Sequence, residues 1–165
     1  MRVLGIDPGT VMTGYGVVEG PTGLRLVDCG TLRFPTRVPI ERRLWSIFEG
    51  VCGLIESHQP DEVAIEEPFV GINVRSAFMI GRAQAVAVLA AARSGLPTAY
   101  YSPAEVKQQV CGYGRSDKAQ VRTMVMLELR VKDSTLGTDA TDALAIALCH
   151  IWRTAALERL AGGGK

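Results

Sequence analysis

Arg2-Val3-Leu4-Gly5-Ile6-Asp7-Pro8-Gly9-Thr10 near one end and Thr138-Asp139-Ala140-Thr141-Asp142-Ala143-Leu144-Ala145 near the other are the stretches on which the fold turns. The first is a short apolar run that ends in an acid and then meets Pro-Gly, the pattern of a strand entering a turn. The second places two acids three residues apart, on one face of a first helical turn, with apolar residues following at once. Working outward, 13–19 (TGYGVVE) and 24–34 (LRLVDCGTLRF) are parted by Gly20-Pro21-Thr22-Gly23, which marks a turn. These first three runs predict an antiparallel meander. Gly14 and Gly16 inside the second run imply close backbone approach on one side.

The period then changes. Ile40, Leu44, Ile47, Phe48, Val51, Leu54 and Ile55 recur at three- and four-residue steps, predicting a helix of about five turns that opens after Pro39 and closes by His58 and Pro60. Residues 62–67 (EVAIEE) read as a strand. A loop with Pro68, Phe69 and Gly71 leads to a helix over roughly 73–94 that is apolar almost all round, so it must be buried or pressed against a partner. Of its two apolar sides, the one with Ile80, Ala83, Val86 and Ala90 is taken as outward, and Ala77, Phe78, Gly81, Ala85, Val88 and Leu89 as the sheet-facing side. Pro97–Tyr101 is a final strand, and Ser102-Pro103 opens a short helix to about Val110. Ser116 is read as the N-cap of a helix over 117–129, and the last helix starts near Thr138. The sum is an α/β fold with a mixed five-stranded sheet flanked by helices.

The chain has 165 residues, 47% hydrophobic and 21% charged, with 18 Lys+Arg against 17 Asp+Glu. That composition excludes intrinsic disorder and a uniformly basic nucleic-acid coat, though not a basic face beside an acidic site. One domain over residues 1–160 is expected, with 161–165 a flexible tail. No run of 18 apolar residues occurs, and Met1 leads into Arg2-Val3-Leu4 with no signal-peptide pattern. The expectation is a cytoplasmic protein without a membrane segment. Cys29, Cys52, Cys111 and Cys149 show no metal-ligand spacing and are expected as free thiols.

Asp7, Glu66, Asp139 and Asp142 stand at the edges of these elements. Singly, each has an ordinary explanation as a turn former, an exposed strand residue or a helix-dipole partner. Set together near an apolar core, they repel one another unless a cation neutralises them. An oxygen-only donor set selects a hard divalent ion such as Mg²⁺ or Mn²⁺. The lysines add to this. Only Lys107, Lys118, Lys132 and Lys165 occur among the 18 basic residues, so two of the four stand in VKQQ and SDKA. Lysine among so many arginines suits a site that wants a compact ammonium.

GIDPGT at the end of a first strand, AIEEPF on a central strand and TDATDALAIALCH on a last helix together resemble the RuvC family of Holliday junction resolvases. NVRSAFMIGRAQ and VKQQVCGYGRSDKAQV fall in the same order, so the resemblance covers nearly the whole chain. It implies a ribonuclease H-like fold and a structure-selective endonuclease that resolves four-way DNA junctions by paired symmetric nicks in recombination and repair. The family's catalytic, metal-binding carboxylates fall on Asp7, Glu66, Asp139 and Asp142. Two Mg²⁺ ions per subunit are implied, with Mn²⁺ substituting. Glu67 stands where the family pattern has a polar uncharged residue. In a strand only one of Glu66 and Glu67 can face Asp7, and the resemblance favours Glu66. It further implies Lys107 and Lys118 at the scissile phosphate, Phe69 stacking on an unpaired base, and Arg75, Arg82 and Arg115 on the DNA backbone. The implied partners are four-way junction DNA, a second copy in a homodimer joined through the 73–94 helix, and the RuvA–RuvB branch-migration complex. An actin-like phosphotransferase would need a second related domain that this length cannot hold. A junction binder without catalysis is disfavoured by the intact acid set, and a ribonuclease H acting on RNA–DNA hybrids shares only the metal chemistry.

Overall fold

The computed structural model describes residues 1–67, 74–131 and 136–162. Strands β1 (Arg2–Asp7), β2 (Met12–Glu19), β3 (Arg25–Arg33), β4 (Glu62–Glu66) and β5 (Thr98–Tyr101) form one sheet in the order β3-β2-β1-β4-β5. β1, β2 and β3 pair antiparallel, whereas β4 joins β1 and β5 joins β4 in parallel. The parallel connections are made by helices, as they must be. α1 (Ile40–His58) leads from β3 to β4, and α2 (Val74–Arg93) leads from β4 to β5. α3 (Pro103–Cys111), α4 (Lys118–Glu128) and α5 (Thr138–Gly162) complete the chain.

Strand alternation divides the core in two. Leu4 and Ile6 of β1, Val17 of β2, and Val63 and Ile65 of β4 pack under α1 and α2 with Ile47, Val51, Ile55, Ala83 and Ala87. Val3, Val18 and Ala64 face the other way, toward α5 and, beyond it, Val106, Val110, Val121 and Val125 of α3 and α4. α5 is therefore enclosed by the sheet on one side and two helices on the other. Its residues 143–151 are all buried, which explains an apolar run too broad for one helical stripe.

Glycine sets how closely α5 lies on the sheet. A Cβ at Gly5 would run into the Ala143 carbonyl oxygen and the Ala147 backbone nitrogen, and one at Gly14 into the backbone of Asp139. These strand glycines remove the side chains that would otherwise hold the helix away. Further along α5, His150 is 3% exposed, and its Nδ1 lies 2.8 Å from the Tyr101 hydroxyl while its Nε2 lies 3.0 Å from Glu62 Oε2. This polar bridge ties α5 to β4 and β5.

Two expectations need correcting. Helix α4 is capped by Asp117, not Ser116: the Asp117 carboxylate accepts from the Gln120 N–H at 2.8 Å, and the Gln120 side chain accepts from the Asp117 N–H at 2.9 Å. Ser116 is buried and its hydroxyl donates to the Tyr113 carbonyl at 2.8 Å. On α2 the buried side is Ala77, Ala83, Ala87, Ala90 and Ala91. The outward side is the one with Phe78, 68% exposed, and Leu89, 61% exposed, whereas Ile80 is half-buried. Small side chains win the sheet face because they let the helix axis approach. By length and composition alone α2 could span a membrane; here that alanine seam is core.

Among the described residues α5 reaches Gly162, and 163–165 of the expected tail lie outside them. We expect Gly5→Ala to destabilise the protein by about 1–3 kcal/mol or more through the forced retreat of α5. Gly53→Ala, where an added Cβ meets open space inside α1, should instead stabilise by roughly 0.5–1 kcal/mol. Urea denaturation midpoints of the two variants check both signs.

Candidate active site

Asp7 is the last residue of β1 and Glu66 the last of β4. The two strands run parallel with Ile6 paired to Ile65, so the next step places Asp7 beside Glu66. Both side chains share the face of Gly5 and Ala64, which is the α5 face, because Ile6 and Ile65 point to α1 and α2. Glu67 lies beyond the strand, exposed, with its N–H on the Tyr101 carbonyl at 2.8 Å. The strand alternation thus assigns the site-facing glutamate to Glu66.

Above these two acids, the first turn of α5 brings Asp139 and Asp142. Gly14 lets it descend, since the Asp139 backbone and Cβ occupy the space a β2 side chain would fill. The acids border two adjoining depressions. One, of about 230 Å³, is lined by Glu66, Asp142, Lys107, Lys118, Val106 and Val121. The other, of about 470 Å³, is lined by Asp7, Asp139, Arg75, Ser76, Ile80 and the 8–12 turn. A larger hollow at the opposite end of the sheet, around Met1, Glu19 and Pro21, contains none of these groups.

Electrostatics bind the set together. Burial, followed by the charges of Asp142 and Asp139, pushes the Asp7 carboxyl up to about 7, against the opposing pull of Lys118. Burial, followed by Asp7 and Asp142, pushes Glu66 up to about 8, while Lys118 and Lys107 act the other way. Lys118, at the N-terminus of α4, donates to Asp142 Oδ2 at 2.7 Å, and that bond raises its own affinity for a proton. Lys118 and Lys107 against four carboxylates leave negative charge uncompensated in a half-buried place.

That surplus is the test of fit for a metal. Among the described residues no three acid, histidine or cysteine side chains are gathered into a ready-made ligand cluster, and Asp142 is paired with Lys118. The donor chemistry nevertheless fits a hard divalent cation: the donors are carboxylate oxygens, and the two innermost have raised pKa values because they are buried and faced by further acids.

Of the other expected residues, Lys107 of α3 lines the depression of Glu66 and Asp142, and Arg75 lines that of Asp7 and Asp139. Arg82 and Arg115 are exposed and line neither. Phe69 lies outside the described residues. One residue was missed by the sequence reading. Arg43 of α1 is 9% exposed, and its Nη1 donates at 2.9 Å to the carbonyl of Thr10, in the turn that follows Asp7. Its Nε has no partner among the described residues. This bond ties α1 to Thr10, one of the residues that line the Asp7 depression. The available signal was an arginine inside an apolar stripe, between Ile40 and Ile47.

Comparison with known proteins agrees with this geometry. Residues 3–150 match the family described as crossover junction endodeoxyribonuclease RuvC. The crossover junction endodeoxyribonuclease RuvC of Dehalococcoides mccartyi is 49% identical over 151 residues, 91% of this chain and 90% of that protein. That of Chloroflexus aggregans is 48% identical over 160 residues, covering 96% and 98%. Thermus thermophilus RuvC, solved in complex with a Holliday junction substrate, superposes with a TM-score of 0.87 at 33% identity, over 94% of this chain and 96% of that one. The expected ribonuclease H-like architecture is shared with that structure. The chain belongs to the RuvC family of crossover junction endodeoxyribonucleases.

Proposed function

We propose that this protein resolves four-way DNA junctions as a divalent-metal-dependent endonuclease, nicking two strands symmetrically in DNA recombination and repair. The observation that carries the reading is the meeting of Asp7, Glu66, Asp139 and Asp142 from β1, β4 and α5, with Lys107 and Lys118 at the same depression. The reaction is hydrolysis: a water oxygen bonds to phosphorus, the bond to the 3′ oxygen breaks, and a 5′-phosphate and a 3′-hydroxyl remain.

Each side chain has a part in this reading. Asp7 and Glu66, buried and adjacent, would hold Mg²⁺, or Mn²⁺ in its place, with Asp139 and Asp142 completing the donors for two ions. When bound, such ions supply a water of lowered pKa and offset charge on the leaving oxygen. Lys107 and Lys118 approach from α3 and α4 as fixed ammonium groups for the negative charge that grows on the phosphate. Lys118 is held by Asp142 at 2.7 Å, and metal binding at Asp142 would free its ammonium for the phosphate. Arg75, beside the Asp7 depression, would position the DNA backbone, with Arg82 and Arg115 further out. Phe69 keeps its expected role as a base-stacking residue, and the RuvA–RuvB complex its place as an upstream partner. A cytoplasmic location and a single nuclease domain are parts of the same reading.

One site cuts one strand, so paired cuts need two copies related by a two-fold axis. The outward side of α2 supports a homodimer: Val74, Phe78, Ala85 and Leu89 share one face and are all exposed. Large apolar side chains in such a row mark an interaction surface.

Three outcomes follow. Asp7→Asn and Glu66→Gln should each lower cleavage of a synthetic four-way junction by at least about 10²-fold while junction binding persists, and Glu67→Gln should retain most activity; gel assays with and without Mg²⁺ decide. Wild-type nicking by Asp7→Asn would remove the metal assignment.

The second outcome concerns pH. Folding raises the pKa of Asp7 and Glu66, so the folded state holds protons that the unfolded chain has released. Their contribution to stability is therefore greatest near pH 4 and is lost as pH climbs to about 7–8. In metal-free buffer at pH 8, Asp7→Asn should raise stability by on the order of 1–3 kcal/mol, or roughly 2–4 °C per kcal/mol in Tm. The advantage should vanish by pH 4, and the variant should gain less from added Mg²⁺ than the wild type. Calorimetry across pH measures this.

Third, Phe78→Asp combined with Leu89→Asp should give folded monomers that nick junctions without paired resolution. Ile80→Asp would instead charge the wall of the Asp7 depression and impair cleavage directly. Light scattering after size exclusion separates the two cases.

A further inference from the structure

The loop joining α3 to α4 is held at every backbone turn, yet its largest side chain does nothing for the fold. Gly112 takes a left-handed conformation (φ 74°) to end α3, and its N–H donates to the Gln108 carbonyl at 2.9 Å. The Gln108 side chain then spans the loop, donating to the Gly112 carbonyl at 2.9 Å and accepting from the Gly114 N–H at 3.1 Å. Buried Ser116 fastens the other end: its N–H and its hydroxyl both donate to the Tyr113 carbonyl, at 3.1 and 2.8 Å. Asp117 follows at once as the cap of α4. Between these clamps the Tyr113 side chain is 59% exposed, and among the described residues its hydroxyl has no hydrogen-bond partner and its ring no aromatic partner.

A loop whose backbone is fixed but whose large ring is mostly left to solvent gains little burial from it. Its surroundings indicate what the ring meets. Lys107 lies six residues before Tyr113 and Lys118 five after, and both line the depression of Glu66 and Asp142. Arg115 is exposed two residues on. The tip is thus an exposed aromatic followed by a cation, in the loop between the two helices that carry Lys107 and Lys118, a combination that receives single-stranded nucleic acid. A protein partner would call for an apolar surround, and the neighbours of Tyr113 are Gly112, Gly114 and Arg115.

We propose that Tyr113 is a base-stacking residue: its ring receives an unpaired nucleobase next to the scissile phosphate and thereby fixes which phosphate reaches the acids. The assignment rests on the junction-resolving reading above. Stacking needs an exposed π face, which an unpaired base at a branch point has and a base inside linear duplex lacks. The contribution is to position the strand, with no part in proton or phosphoryl transfer.

The test uses the full-length protein and a synthetic four-way junction carrying 2-aminopurine at each position flanking the cut, in EDTA for binding and in Mg²⁺ for cleavage. Tyr113→Ala should weaken junction binding on the order of tenfold and spread cleavage over neighbouring phosphates. Tyr113→Phe and Tyr113→Trp should restore both. At one position the 2-aminopurine, quenched by the wild type, should brighten with Tyr113→Ala. Linear-duplex affinity and the salt slope of junction binding should stay as in the wild type, whereas Arg115→Ala should lower that slope by about one. Tyr113→Ala binding and cleaving like the wild type, or Tyr113→Phe failing like Tyr113→Ala, overturns the stacking role. A wild type that does not cleave the junction overturns the resolvase reading itself.

Discussion

The contact of α5 with the glycine-lined face of β1 and β2 is the constraint on which the remaining structure depends. Backbone meets backbone there, because Gly5 and Gly14 place no Cβ between strand and helix. The same descent does two jobs. It seals the sheet with a helix buried on nearly all sides, and it lowers Asp139 and Asp142 over the ends of β1 and β4. A helix seated on larger side chains would still cover the core, but its acids would ride above Asp7 and Glu66 instead of joining them. Packing density and acid geometry are thus one variable in this fold.

The cost of that arrangement is electrostatic and falls on two carboxyl groups. Asp7 and Glu66 are desolvated by the packing that positions them and are then faced with further negative charge. Natural proteins break local rules of stability at functional sites and compensate elsewhere. Here part of the compensation is Lys118 on Asp142, and part is the satisfied Glu62–His150–Tyr101 bridge lower on α5. The bridge keeps the helix seated while its first turn is under repulsion.

Most elements could be read from the sequence because their periods are clean. The alternation in β1 and β4 also contained the choice between Glu66 and Glu67, once the strand pairing gave Asp7 a neighbour. Lysine scarcity pointed to Lys107 and Lys118 before any geometry. What could not be read there has definite physical causes. Both sides of α2 are apolar, and the deciding quantity is side-chain size, which favours the alanines only once a sheet is present to be approached. Ser116 and Asp117 are both good cap formers. The tie is broken by Gln120, three residues after Asp117, a signal present in the sequence and not used. Arg43 shows in the sequence only as an arginine within an apolar stripe, and its role stays hidden there because it depends on a turn more than thirty residues away.

The order of the acids along the chain has a consequence for synthesis. Asp7 emerges from the ribosome with the first strand, but Asp139 and Asp142 belong to the last helix, and translation proceeds from the N-terminus. Until α5 is released and docks, the growing polypeptide holds only Asp7 and Glu66 of the set, on a sheet with one face open to solvent. An unfinished or C-terminally shortened chain therefore lacks two of the four acids and is also exposed to quality control, since the helix that carries them is the one that closes the core.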